Sequence, residues 1–98
     1  MLKILKALAN PLRLAALDYL KDPVAHFPPQ VDGDPIEDGI CADFLREKLG
    51  VAPATASRHL TLLVDCGLVT ATRKKGWTFY RRNEPAIASF TAQIRGSL

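Results

Sequence analysis

The sequence predicts a mainly α domain with one small β-hairpin, an α+β chain in the order α-α-α-α-β-β-α. Three observations lead there. Apolar residues recur at helical spacing in four stretches before Gly67 and in one after Asn83. Two runs rich in Val, Thr, Trp, Phe and Tyr, Leu68 to Arg73 and Trp77 to Arg82, flank Lys74-Lys75-Gly76 and read as paired strands. Pro11, Pro53 and Pro85 each stand at the start of a helical stretch, where a missing N–H has no partner to lose.

Ninety-eight residues make one domain, 1–98. A core of that size is marginal alone, so a homodimer that buries more apolar surface is expected. The 48% hydrophobic and 23% charged fractions are those of a globular chain rather than a disordered one. Met1 to Ala9 is apolar but broken by Lys3 and Lys6. It is too short for a membrane span and lacks a signal-peptide core, so a cytoplasmic location without membrane contact is expected. Two cysteines without a secretion signal argue against a disulfide framework.

Leu2 to Ala9 reads as the first helix, with Leu2, Leu5, Leu8 and Ala9 on one stripe. Asn10 is a natural N-cap for the second, Pro11 to Lys21. That helix is apolar around much of its circumference and should be central. Residues 22–39 form a long connection whose four prolines and two glycines exclude a regular helix or strand interior. Val24, Phe27, Val31 and Ile36 are its potential anchors to the core. His26 with Asp32, Asp34, Glu37 and Asp38 reads as a solvated acidic loop with a surface histidine, not a metal site. So acidic a loop should face away from a polyanion.

Ile40 to Leu49 reads as the third helix, with Ile40, Phe44, Leu45 and Leu49 on its apolar side. Gly50-Val51-Ala52 then turns into a fourth, Pro53 to Cys66, which Gly67 ends. Helix, short turn and helix across 40–67 is the arrangement of a helix-turn-helix. In the fourth helix Ala56, Leu60, Leu63 and Val64 form the core stripe. Ala54, Thr55, Arg58, Thr61 and Leu62 point outward, with Ser57 and His59 on the flanks. That outward face is small, hydroxylic and cationic, without a carboxylate, as close approach to nucleic acid requires. The hairpin at 68–82 follows as a wing, with Lys74 and Lys75 at its tip and Arg73 and Arg81 at strand ends, placed for backbone contact. Residues 84–98 form a last helix with Ala86, Ile87, Phe90 and Ile94 on one stripe, fraying after Arg95 at Gly96. Its unspent apolar surface is expected to pair with the first helix and with a second subunit, so that the helices of 1–21 and 84–98 form the dimer through Leu2, Leu5, Ile87, Phe90 and Ile94.

Charge is segregated. Asp22 to Glu47 holds seven acids and one base, Arg46, whereas Lys48 to Asn83 holds seven bases and one acid, Asp65. A basic half carrying a short helix and a hairpin is an electrostatic footprint for phosphate. An enzyme is not expected. There is no Gly-rich phosphate loop, and Ser57 and His59 stand two apart on a helix, where side chains diverge by about 200°.

Two segments together resemble the ArsR/SmtB-type winged helix-turn-helix repressors of bacteria. LKALANPLRLAALDYL resembles the family's opening Leu-Ala-(Asp/Asn)-Pro-x-Arg segment. LGVAPATASRHLTLLVDCGLVTATRKKGWTFYRRN resembles its recognition helix, Gly-Leu-Val exit and wing. The long Pro-rich loop from Asp22 to Gly39 is the departure. The resemblance implies a homodimer built on the first and last helices and an inverted-repeat operator on double-stranded DNA. It also implies repression that an unidentified small-molecule or redox effector relieves. Thr55, Ser57, Arg58 and His59 would read the major groove, with half-sites about 34 Å apart.

Many members sense metal through two cysteines near the third helix, but Ile40-Cys41-Ala42-Asp43 offers one. Others use His and carboxylates of the last helix, which here has no His and only Glu84. No metal and no cofactor are therefore expected, and Cys41 and Cys66 read as small buried apolar residues. The alternative is a winged helix serving as a protein-interaction module, its basic hairpin meeting an acidic partner.

Overall fold

A computed structural model describes residues 1–98. Asn10 opens α2 (Pro11–Lys21) by accepting hydrogen bonds from the Leu12 and Arg13 amides, at 2.8 and 3.3 Å. This side-chain cap satisfies donors that a helix start leaves without partners. Before it lies α1 (Leu2–Leu8) and after it a four-residue helix, α3 (Pro23–His26). The loop is therefore not wholly irregular. Beyond α3, Asp34 caps a tight turn, accepting from the Ile36 and Glu37 amides. Of the four apolar anchors expected in this loop, only Phe27 is buried; Val24, Val31 and Ile36 are exposed.

The third predicted helix begins two residues later than expected. Ile40–Cys41 is a strand, β1, and the helix α4 runs Ala42–Leu49. The cause is tertiary: β1 pairs antiparallel with the far wing strand, Ile40 opposite Tyr80 and Cys41 opposite Phe79. This pairing covers backbone groups that an edge strand would leave bare. Gly39 makes the approach feasible, since a Cβ there would collide with the Tyr80 carbonyl.

Gly50 adopts a left-handed conformation (φ 71°) and closes α4, its amide donating to Arg46 and Glu47 carbonyls. Helix α5 (Pro53–Asp65) follows, then β2 (Val69–Lys74), β3 (Trp77–Arg82) and α6 (Glu84–Ser97). The sheet has three strands in the order β1-β3-β2, all antiparallel. Lys74 belongs to β2, so the wing turn is two residues, Lys75 and Gly76, both at positive φ (53° and 81°). That is the conformation whose twist suits a tight hairpin. Helix α6 does not stop at Arg95 but continues through Gly96 to Ser97.

The core gathers Ala16, Leu17 and Leu20 of α2, Leu45 of α4, Leu60 and Leu63 of α5, and Leu68, Val69, Ile40 and Phe27 from the sheet side and loop. The expected stripe of α5 supplies Ala56, Leu60 and Leu63 as buried residues and Val64 as a half-buried one. Cys41 is buried, and Cys66, half-buried, directs its thiol to the Leu63 carbonyl at 3.3 Å. Helix α6, fourteen residues long, buries none of them. No helix is long and apolar enough to cross a membrane.

Candidate nucleic-acid interface

Because the apolar stripe of α5 is committed to the core, its opposite side is held toward solvent. Ala54, Ser57, Arg58, Thr61 and Leu62 are exposed and Thr55 is half-buried. Arg58 takes no part in the protein's ion pairs, which join Arg46 to Glu47, Lys74 to Asp38 and Arg82 to Glu84. Its guanidinium is unspent, with five donors in a planar fork.

His59 departs from the expectation that it reads the groove. It is only 6% exposed, and its Nδ1 lies 2.9 Å from Nη1 of Arg13. A guanidinium can only donate, so Nδ1 accepts and the ring's one proton sits on Nε2. Burial is the main influence lowering the His59 pKa below its ordinary 6.5, with the charges of Arg13 and Arg58 acting the same way. Arg13 also donates from Nε to the Ala7 carbonyl at 2.5 Å and from Nη2 to the Lys6 carbonyl at 3.4 Å. One arginine thus ties the end of α1 and the body of α2 to α5. On a helical wheel His59 sits at the margin between the two faces, and wheel position alone does not reveal a partner on another helix.

On the wing Arg73, Lys74, Lys75 and Arg81 are all exposed. They are not equivalent. Lys74 Nζ lies 3.4 Å from Asp38 Oδ2, and Arg81 Nη1 donates to the Glu37 carbonyl at 3.0 Å. The acidic loop, expected to face away, instead lays its Glu37-Asp38 end against the cationic hairpin. The reason is local: β1 must reach β3, and the residues just before it arrive beside the wing. The Asp38 carboxyl is held below the usual range first by the Asp34 amide, which donates to it at 2.7 Å, and further by Lys74 and Arg81. Arg73 and Lys75 have no such restraint.

Arg46 and Thr78 were not singled out by the sequence. With Ser57 and Tyr80 they line a cleft of about 220 Å³ between α4, α5 and β3. The buried Nε of Arg46 has no hydrogen-bond partner, and its Nη2 is 3.7 Å from Glu47. Tyr80 is half-buried, and burial raises the pKa of its phenol. In the sequence Arg46 is only the lone base of the acidic half; the fold sets it beside Ser57 of α5. The residues expected at a subunit contact are not fully buried in the single chain. Leu2 and Leu5 are 65% and 40% exposed, and Ile87, Phe90 and Ile94 are half-buried.

A helix, a glycine turn and a second helix with a cationic outer face, followed by a basic hairpin, define a winged helix-turn-helix. The chain belongs to the HTH-type transcriptional regulators, and it is a DNA-binding regulator. It is 40% identical over 86 residues to the uncharacterised HTH-type transcriptional regulator YbzH of Bacillus subtilis (strain 168), a match spanning 88% of this chain and 86% of that protein. No family model matches it. Among solved structures it is similar to residues 1–100 of a possible transcriptional regulatory protein from Mycobacterium bovis. There the TM-score is 0.66 at 28% identity, over 98% of this chain and 89% of that one. NolR from Sinorhizobium fredii shares the fold, with a TM-score of 0.62 at 23% identity over 93% of this chain and 77% of that one.

Proposed function

We propose that this regulator is an ArsR/SmtB-type homodimeric repressor that binds an inverted-repeat operator in the cytoplasm and is released by an effector. The observation that carries the reading is Arg58: exposed and free of ion pairs on a helix whose opposite stripe is locked in the core. Thr55, Ser57 and Arg58 enter the major groove, Arg58 with a guanine edge as its natural target. His59 acts from inside, holding the helix through Arg13. Arg73 and Lys75 meet phosphates beside the groove, where Lys74 and Arg81 first have to leave the loop. Arg46, whose side chain is 31% exposed and lines the cleft beside Ser57, is a further phosphate contact.

The homodimer is supported by α6, none of whose residues is fully buried, and by the exposed Leu2 and Leu5 of α1. Two copies joined on these helices would set two α5 helices about one DNA turn, roughly 34 Å, apart. Selection of bound sequences from a random duplex pool tests the reading. A two-fold symmetric consensus is the expected result, and recovery of no preferred sequence would refute it.

A further inference from the structure

A second cavity, of about 230 Å³, opens where the long loop, α4 and the wing meet. Its walls include three aromatic rings, Phe44, Trp77 and Phe79, and three carboxylates, Asp32, Asp43 and Glu47. No lysine or arginine lines it. Of the three acids only Glu47, itself largely exposed, has a cation within ion-pair distance, Arg46 at 3.7 Å. Two carboxylates in a cavity of a net basic protein therefore stand without a counter-charge.

We propose that this cavity binds a small organic cation with a flat apolar body, and that the bound cation is an effector of DNA binding. The effector role rests on the repressor reading above; the binding site does not. Ring faces attract cations electrostatically, and carboxylates at the same cavity reinforce the preference. An anion would be repelled. A metal ion is a poorer fit, because no group of three His, Cys, Asp or Glu side chains converges to ligate one. The loop wall is built rather than loose. Gln30 accepts from the Cys41 amide at 2.8 Å and donates to the Gly39 carbonyl at 3.1 Å, and Gly33 packs against the Phe79 ring. Walls fixed in advance reduce the ordering that binding must impose.

The position supplies the coupling. Asp43, Phe44 and Glu47 stand on α4, the first helix of the helix-turn-helix, and Trp77 and Phe79 on β3 of the wing. An occupant touching both adds contacts between elements that β1 already ties together, and so stabilises one arrangement of α4 and the wing over others; α5 and the wing engage one duplex only in an arrangement that suits both.

Trp77 is the single tryptophan, so its emission reports the site directly in the full chain. Benzyltrimethylammonium, titrated at constant ionic strength, should change that emission saturably; benzyl alcohol and phenylacetate should not. The double variant Asp32→Asn/Asp43→Asn should bind the cation about tenfold more weakly. Should that variant fail to fold by circular dichroism, Glu47→Gln at an exposed position should still weaken binding measurably. An equal response to benzyl alcohol, no saturation, or undiminished affinity in the folded variants would overturn the site. Duplex binding is measured first without cation, so a failure of the repressor reading appears there independently. Where the duplex binds, saturating cation should change its affinity by about fivefold or more; saturation with no change would overturn the effector role.

Discussion

Arg13 and His59, forty-six residues apart in sequence, meet at 2.9 Å between Nη1 and Nδ1. The contact, with Arg13's bonds to the Ala7 and Lys6 carbonyls, joins α1 and α2 to the helix expected to read DNA. Burial of His59, with the charges of Arg13 and Arg58, also makes the fold sensitive to acid. A His whose folded pKa lies below 6.5 binds its proton more readily when unfolded, so stability falls as pH drops below about 6.5 and levels off once the folded pKa is passed. His59→Asn keeps an acceptor toward Arg13 and cannot titrate. Urea denaturation at pH 7.5 and 5.5 should show a smaller loss of stability in His59→Asn than in the parent. Identical losses would remove His59 from the account, His26 being left as the only other histidine.

Arg58 and Lys75 should separate specificity from affinity. Arg58→Ala is expected to weaken operator binding by about 1–3 kcal/mol and to relax preference at one base pair. Lys75→Ala should weaken every duplex alike and flatten the salt dependence of binding by about one phosphate contact. Titrations of operator and scrambled duplex at several salt concentrations read both. An Arg58→Ala protein with full preference would place the groove contact elsewhere.

The clasp between Asp38 and Lys74 leads to an unequal pair of lysines at the wing tip. Since Asp38 competes with phosphate for Lys74, Lys74→Ala should reduce duplex affinity less than Lys75→Ala does. Asp38→Asn keeps an oxygen for the Asp34 amide and removes the charge, so it should tighten binding to any duplex and steepen its salt dependence. Unchanged binding in Asp38→Asn would mean that the loop leaves the wing without hindrance whenever DNA arrives.

Helix α6 carries the remaining prediction. Phe90→Asp places a charge on an apolar stripe whose residues Ile87, Phe90 and Ile94 are only half-buried within one chain. If the stripe is a subunit contact, sedimentation should show monomers and operator affinity should fall, because each half-site is then bound alone. A dimer that survives Phe90→Asp would move the interface off this face. Circular dichroism should be little altered either way, as Phe90 is not part of the core.

The residues alone were sufficient for α5, the wing and the segregation of charge. Pro53, the spacing of Ala56, Leu60 and Leu63, and the aromatic and β-branched run from Trp77 are local patterns, and local patterns are written in the chain. Asn10 announced its cap for the same reason, since capping spans three residues. What needed the folded chain were relationships between distant segments. The two residues of β1 are too few for any periodicity, and only their pairing with Phe79 and Tyr80 makes them a strand. His59 took its place from Arg13, Arg46 came beside Ser57 by the packing of α4 on α5, and the loop came to rest on Lys74 and Arg81. Periodicity reports which way a side chain points from its own helix; which partner waits there is decided by packing across the whole domain.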